Sequence, residues 1–348
     1  MPKIPPPKYE SWRHYLLGIL PGFLFCLLFG SFAILLDANL LGEETFILNY
    51  VIIAILLGLF INNIFTIPEY FRDGIDFSTK ICLYIGIVLL GTGINISKIF
   101  NIGSVALLMV AISITFCITF CGLLAKKMGI EERWGHLVGT GMGVCGISAI
   151  IATAPVIKAK EREIITAISI TIFADLIVLI TLSPIGHALG WSDTLAGFIA
   201  GIVPANTAQC IAIGHAYSDT AGEVATIIKS ARNGLIPLVI LSITYIYTRR
   251  GLPVGEKISL KLLWSKFPKF IFGFLIAAAL STMGFITAEG ITLAKWLASW
   301  FFVICFVGLG AGINLKGFNR RDITILGLAL LTTFILWLYV YSVFTLFY

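Results

Sequence analysis

The chain reads as an all-α polytopic membrane protein built as an inverted repeat, with two broken or re-entrant helical segments. Three observations predict this. Apolar residues fill 58% of the 348 positions and charged residues only 12%, with a mean hydropathy of +0.99, which is too little polar surface for a water-exposed shell. The apolar residues fall into separate runs of about 20, the length a bilayer-crossing helix needs. Two runs are interrupted by small residues and Pro, and each interruption has an echo elsewhere in the chain. The longest polar connection runs only from about 247 to 269, so one transmembrane domain over 1–348 is expected.

Taken in order, residues 1–14 are basic and Pro-rich, and the first apolar run, 15–36, has no Ala-x-Ala cleavage pattern, so it is expected to remain as a span. Further spans are expected at about 46–66, 77–95, 103–125, 163–183, 224–247, 270–289, 292–313 and 323–347. The segments 134–156 and 195–214 are apolar but carry Gly, Pro, Asn, Ser and Thr, so each is either a re-entrant hairpin or a full but broken span. The total is nine spans plus two hairpins, or eleven spans. In hydrocarbon, irregular backbone survives only where protein buries it or where it lines a watery cavity, so a break marks a candidate site.

Loop charge favours the hairpins. With both segments re-entrant and the N-terminus cytoplasmic, 20 basic residues lie inside and only Lys98 and Lys295 outside, with Lys229 and Arg232 in the membrane, which accounts for all 24. With both segments crossing, Lys158, Lys160 and Arg162 change sides and the asymmetry weakens. The C-terminus is then outside. This topology explains the net charge of +6 without nucleic acid as a partner.

The two interrupted segments answer one another. At a step of 60 residues, Gly141 to Ala152 lies over Gly201 to Ala212, and Glu163, Thr166 and Ile168 lie over Glu223, Thr226 and Ile228. A second echo pairs Leu90-Gly91-Thr92-Gly93-Ile94-Asn95 with Leu309-Gly310-Ala311-Gly312-Ile313-Asn314, a step of 219. Transporters place their sites where inverted repeats meet. Both steps cannot belong to one simple repeat, and the second motif is also an ordinary way to end a transmembrane helix.

Three ionisable residues fall inside expected spans, where charge is costly and usually functional: Asp175, Lys229 and Arg232. Lys229 and Arg232 are three apart and share a helix face, from which they could meet the second interruption and bind an anion beside free half-helix N–H groups. The alternative is that Lys229 snorkels to the interface and Arg232 pairs with Asp175. Asp175 is either that counter-ion or a site for a coupling ion, sodium or proton. Asn95 and Asn314 are further coupling-ion candidates. In the first interruption Gly143 and Gly146 give room and backbone, and Cys145 and Ser148 give polar heads. In the second, Asn206, Thr207 and Gln209 play that part. Gly and Ser are equally the ordinary close-packing residues of membrane helices.

Enzymatic chemistry finds no support. No phosphate-binding loop, no Gly-x-Ser-x-Gly elbow and no His-Glu-x-x-His pair is present. The seven cysteines form no Cys-x-x-Cys and no Cys/His cluster, so neither a disulfide framework nor a metal is expected, and no cofactor is.

The run Gly141-Met142-Gly143-Val144-Cys145-Gly146-Ile147-Ser148-Ala149-Ile150, followed by Ala154-Pro155-Val156-Ile157-Lys158 and by Gly222-Glu223-Val224-Ala225-Thr226-Ile227-Ile228-Lys229-Ser230-Ala231-Arg232, resembles the YeiH-type family. These bacterial inner-membrane proteins carry a sulfate-exporter label and are grouped with the bile-acid symporter and cation/proton antiporter superfamily. The resemblance covers nearly the whole chain. It places Cys145, Gly146 and Ser148 on the family's Cys-Gly-x-Ser/Ala hairpin and Lys229 and Arg232 on its Lys-x-x-Arg. The departure is Ala205-Asn206, where relatives carry His-Glu. The resemblance and the residues together lead to one expectation: a secondary transporter of a small anion, sulfate-like or another sulfur oxyanion, working by alternating access in the inner membrane, with a homodimer as the candidate assembly. The alternatives are a sodium- or proton-coupled carrier with a dominant cation site, and a passive anion channel.

Overall fold

The computed structural model describes residues 12–37, 50–65, 67–94, 96–249, 264, 267–313 and 320–347. Asn95 and Asn314 lie outside the described residues. Among those described the secondary structure is entirely helical: α1 (Trp12–Leu36), α2 (Tyr50–Phe65), α3 (Arg72–Phe77), α4 (Leu83–Gly91), α5 (Ile96–Lys127), α6 (Glu132–Gly143), α7 (Ile147–Thr153), α8 (Glu161–Ala188), α9 (Asp193–Ile202), α10 (Thr207–Tyr217), α11 (Asp219–Gly234), α12 (Ile236–Arg249), α13 (Phe270–Thr282), α14 (Ala288–Ala311) and α15 (Arg320–Phe347).

Among the described residues, six helical stretches are long and apolar enough to cross a bilayer: Leu17–Leu36, Glu69–Gly91, Ala106–Lys127, Arg162–Ala188, Ala288–Ala311 and Ile323–Leu346. The pair α11 and α12, bent by 41° where they join, makes a seventh if it is taken as one span. The expected spans at 46–66 and 270–289 are the shorter apolar helices α2 and α13, of 16 and 13 residues. Glu69–Gly91 is one composite rod, in which a 3-10 turn (Glu69–Phe71) and a π-helical turn (Ser78–Cys82) flank α3. The seven cysteines are buried and free.

The chain folds as two compact units. The first contains α1 to α4, α13 from Phe272 onward and the whole of α14. Glycines bring its backbones together: a Cβ on Gly22 would lie 2.1 Å from the Phe71 carbonyl oxygen, and one on Gly58 would lie 2.2 Å from that of Val307. With lipid offering no hydrophobic drive between helices, such close approach is what membrane helices pack by. The step of 219 recurs here as a reciprocal contact. Gly91 packs on the carbonyl oxygen of Phe274, while Gly310, 219 residues beyond Gly91, packs on that of Ile55, 219 residues before Phe274.

The second unit contains α5 to α12 and α15. Its α6 ends where Gly141 and Gly143 meet the turn at Val144 to Gly146, and Gly146 adopts φ 65°, ψ −115°, a conformation that favours glycine. The return leg is α7. The base of this element is closed, because Nη1 of Arg133 donates to the Lys158 carbonyl at 3.3 Å and Nη2 lies 3.8 Å from Glu163. The second interruption repeats the design. Here α9 stops before Pro204, which lacks an N–H and disfavours helix in the residue before it, and α10 starts under Asn206, whose Oδ1 accepts from the Ala208 N–H at 3.0 Å. Its base is closed too: the Tyr217 hydroxyl donates to the Trp191 carbonyl at 2.5 Å. A segment crossing the bilayer would hold its two ends about 30 Å apart. Between the two bases runs α8, 28 residues long and therefore about 42 Å.

Candidate functional site

The tips of the two interrupted elements meet. A Cβ on Gly146 would lie 3.6 Å from the Asn206 N and Cα atoms, and two side chains of α11 join the tips through their carbonyls. Nζ of Lys229 donates to Val144 at 2.8 Å, Pro204 at 3.0 Å and Ala205 at 2.5 Å. Nε of Arg232 donates to Gly143 at 2.6 Å, Nη1 to Ile202 at 2.7 Å and Pro204 at 2.8 Å, and Nη2 to Met142. Both side chains are wholly buried. They cap the C-terminal ends of α6 and α9, where unpaired carbonyls carry the negative end of the helix dipole.

This turns the expected geometry round: the basic pair faces carbonyls, and Lys229 does not snorkel. Asp175, at the middle of α8, takes the N–H side. Its carboxylate accepts from the Ala205 N–H at 2.8 Å and the Asn206 N–H at 2.5 Å. An Arg232–Asp175 ion pair does not occur among the described residues.

The carbonyls that accept come in matched pairs. Lys229 binds Val144 and Pro204, and Arg232 binds Met142 and Ile202, each pair separated by the same 60 residues that relate the two segments. Gly146 and Asn206, which touch, are 60 apart as well. The basic residues thus treat the two tips as equivalents.

Around this core the other expected residues take two levels. Gln209 is wholly buried: its Nε2 donates to the Ile172 carbonyl at 3.4 Å, and its Oε1 has no partner among the described residues. Cys145 is buried within the turn of the first tip, and Ser148, in the first turn of α7, is exposed. Asn206 and Thr207 are partly exposed. A Cβ on Gly143 would lie 3.3 Å from the Cys117 Cβ of α5, and the would-be Cβ atoms of Gly135 and Gly139 approach the Cys121 and Cys117 carbonyl oxygens, so these three form a small-residue seam. Sequence reasoning missed Asn233, whose Nδ2 donates to the Thr207 hydroxyl at 3.0 Å. It also missed both base contacts. Asn233 is four residues after Lys229, on the same helix face, which was the available signal.

Broken helices joined at buried charge, in a chain of long apolar helices, define a multi-pass membrane protein of the interrupted-helix class. The chain belongs to the family described as conserved hypothetical protein 698, the UPF0324 or YeiH family, whose model matches residues 21–329. It is 30% identical to a UPF0324 membrane protein of Nitratidesulfovibrio vulgaris over 315 residues, 88% of this chain and 87% of that one. It is also 30% identical to one of Oceanobacillus iheyensis over 311 residues (88% and 90%), and 31% identical to one of Streptococcus pyogenes over 306 (85% and 88%).

Proposed function

We propose that the protein is a secondary transporter of a small anion, and that the two interrupted elements are re-entrant hairpins entering from opposite faces. The observation that carries this reading is the pair of fully buried cations bonded to both tips at once. A buried cation needs compensation. With Asp175 ionised, the cluster formed by Lys229, Arg232 and Asp175 keeps one formal positive charge, and the tip carbonyls offset it only as dipoles. When either tip withdraws, the donors it leaves are those an oxyanion with several acceptor oxygens would take over. Each cation stays bonded to the remaining tip, so opening one hairpin at a time exposes the site to one face at a time, which is alternating access.

Topology supports the opposed entry. The closed bases sit at the two ends of α8. The first lies among Lys126, Lys127, Arg133, Lys158, Lys160 and Arg162, the cytoplasmic signature, and the second beside Asp193 and Asp219. The matched carbonyls and the reciprocal glycine contacts in the first unit are the contacts that two-fold-related copies make. On this reading the steps of 60 and 219 belong to different parts of one inverted architecture.

A cation-coupled carrier is the second reading. It is favoured by the Asp175 carboxylate at the second tip and by the orphaned Oε1 of buried Gln209. Thermal shift of the purified protein separates the two. The anion reading expects stabilisation by at least one of sulfate, sulfite, thiosulfate or a small carboxylate, lost in Lys229→Ala and Arg232→Ala variants that still fold. Stabilisation that follows sodium or pH and ignores every anion would select the cation reading. Saturable counterflow in liposomes separates a carrier from a channel.

A further inference from the structure

We infer that the two hairpins are unequal gates: the first, 134–156, opens readily, while the second, 195–214, is latched shut by Asp175 and Asn233. This rests on reading the hairpins as gates.

The bonds made by the cations do not discriminate between the tips in kind, since matched carbonyls are held on both sides. The difference lies in what else holds each tip. At the second, Asp175 accepts two backbone N–H groups, from Ala205 at 2.8 Å and Asn206 at 2.5 Å, and Asn233 bonds Thr207, the first residue of α10, at 3.0 Å. The same step of 60 puts Leu235 opposite Asp175 and Phe173 opposite Asn233. Neither has a polar side chain, so the symmetric latch on the first tip cannot form. There, among the described residues, the Gly146 N–H bonds within its own turn, to the Gly141 carbonyl at 2.9 Å. The legs differ as well. The first hairpin returns on α7, of 7 residues, and the second on α10, of 11.

Opening the second hairpin therefore breaks every bond its carbonyls make and, in addition, two hydrogen bonds to a buried carboxylate and one between side chains. Hydrogen bonds to charged groups are the stronger class, so the second tip opens less often by about tenfold or more.

Hydrogen–deuterium exchange of the full-length protein in nanodiscs tests this, because exchange of buried amides follows local opening. Peptides covering 141–150 are expected to exchange about tenfold faster than those covering 201–210. In Asp175→Asn, exchange at 201–210 rises by about tenfold while that at 141–150 is unchanged. Equal protection of the two tips in the unsubstituted protein overturns the inference, as does an Asp175→Asn variant that loosens both tips alike. The first comparison needs no variant, so a failure of Asp175→Asn to fold leaves it decisive. Liposome flux is read separately: unequal tips without flux refute the transport reading and spare the asymmetry, and flux with equal tips does the reverse.

Discussion

At the scale of single residues, Arg232 is the tightest constraint in the second unit. Its guanidinium reaches four carbonyls on two chain segments, a task for a planar fork of donors that a compact ammonium cannot perform. Arg232→Ala leaves buried acceptors unpaired and is expected to cost about 3 kcal/mol or more, seen as a fall in unfolding temperature. Arg232→Lys is expected to recover only part of it. The sequence announced this residue, because a charge inside an apolar run needs a partner. It could not announce the partner's chemistry, because backbone carbonyls have no letter in a sequence. An anion-binding geometry and a helix-capping geometry look the same until the polarity of the facing half-helix is known. Asp175 was legible in the same limited way: a buried acid, with its bond to the Ala205 and Asn206 amides invisible.

At the scale of elements, the interruptions were legible because glycine and proline are local signals. Gly146 is the sharpest case. Its backbone is strained for any L residue, although the nearest atoms to an added Cβ are at an ordinary 3.6 Å. Gly146→Ala is therefore expected to destabilise by about 1–3 kcal/mol through conformation alone. Gly327 in α15, with nothing within 4 Å of an added Cβ, serves as the control: Gly327→Ala is expected to be neutral or to stabilise by about 0.5–1 kcal/mol. Thermal unfolding in one detergent checks both. Whether each interruption crosses or returns was less legible, since that depends on contacts such as Arg133 with Lys158 and Tyr217 with Trp191, made between residues more than 20 apart.

At the scale of the molecule, the proposed hairpin topology predicts sidedness. Single cysteines at the exposed positions Lys127 and Lys160, which flank the first interrupted segment, are expected to react with an impermeant maleimide from one face of a sealed vesicle, and those at Asp193 and Asp219, which flank the second, from the other face. Reaction of either pair from opposite faces would require the segment between its members to cross. In the first unit, Gly310→Ala would set a Cβ 2.0 Å from the Ile55 carbonyl oxygen, so α2 and α14 must separate. A loss of about 1–3 kcal/mol is expected in thermal unfolding. The two steps of 60 and 219 and their conflict were readable in the sequence, but the contacts each step relates were not, because a linear alignment ties every copy to one order along the chain. Reciprocal contacts such as Gly91 with Phe274 and Gly310 with Ile55 carry no such order.

The three carbonyl oxygens around the Lys229 ammonium form the kind of cage that elsewhere holds a dehydrated alkali ion. Here the ion is tethered by its own aliphatic stem and cannot dissociate. The tether keeps the cage filled whatever alkali ion is outside, so replacing sodium by potassium or choline is expected to leave the tips closed as before. In a carrier of this build the membrane voltage would act on the cargo, with no travelling counter-ion at this position to share the electrical work.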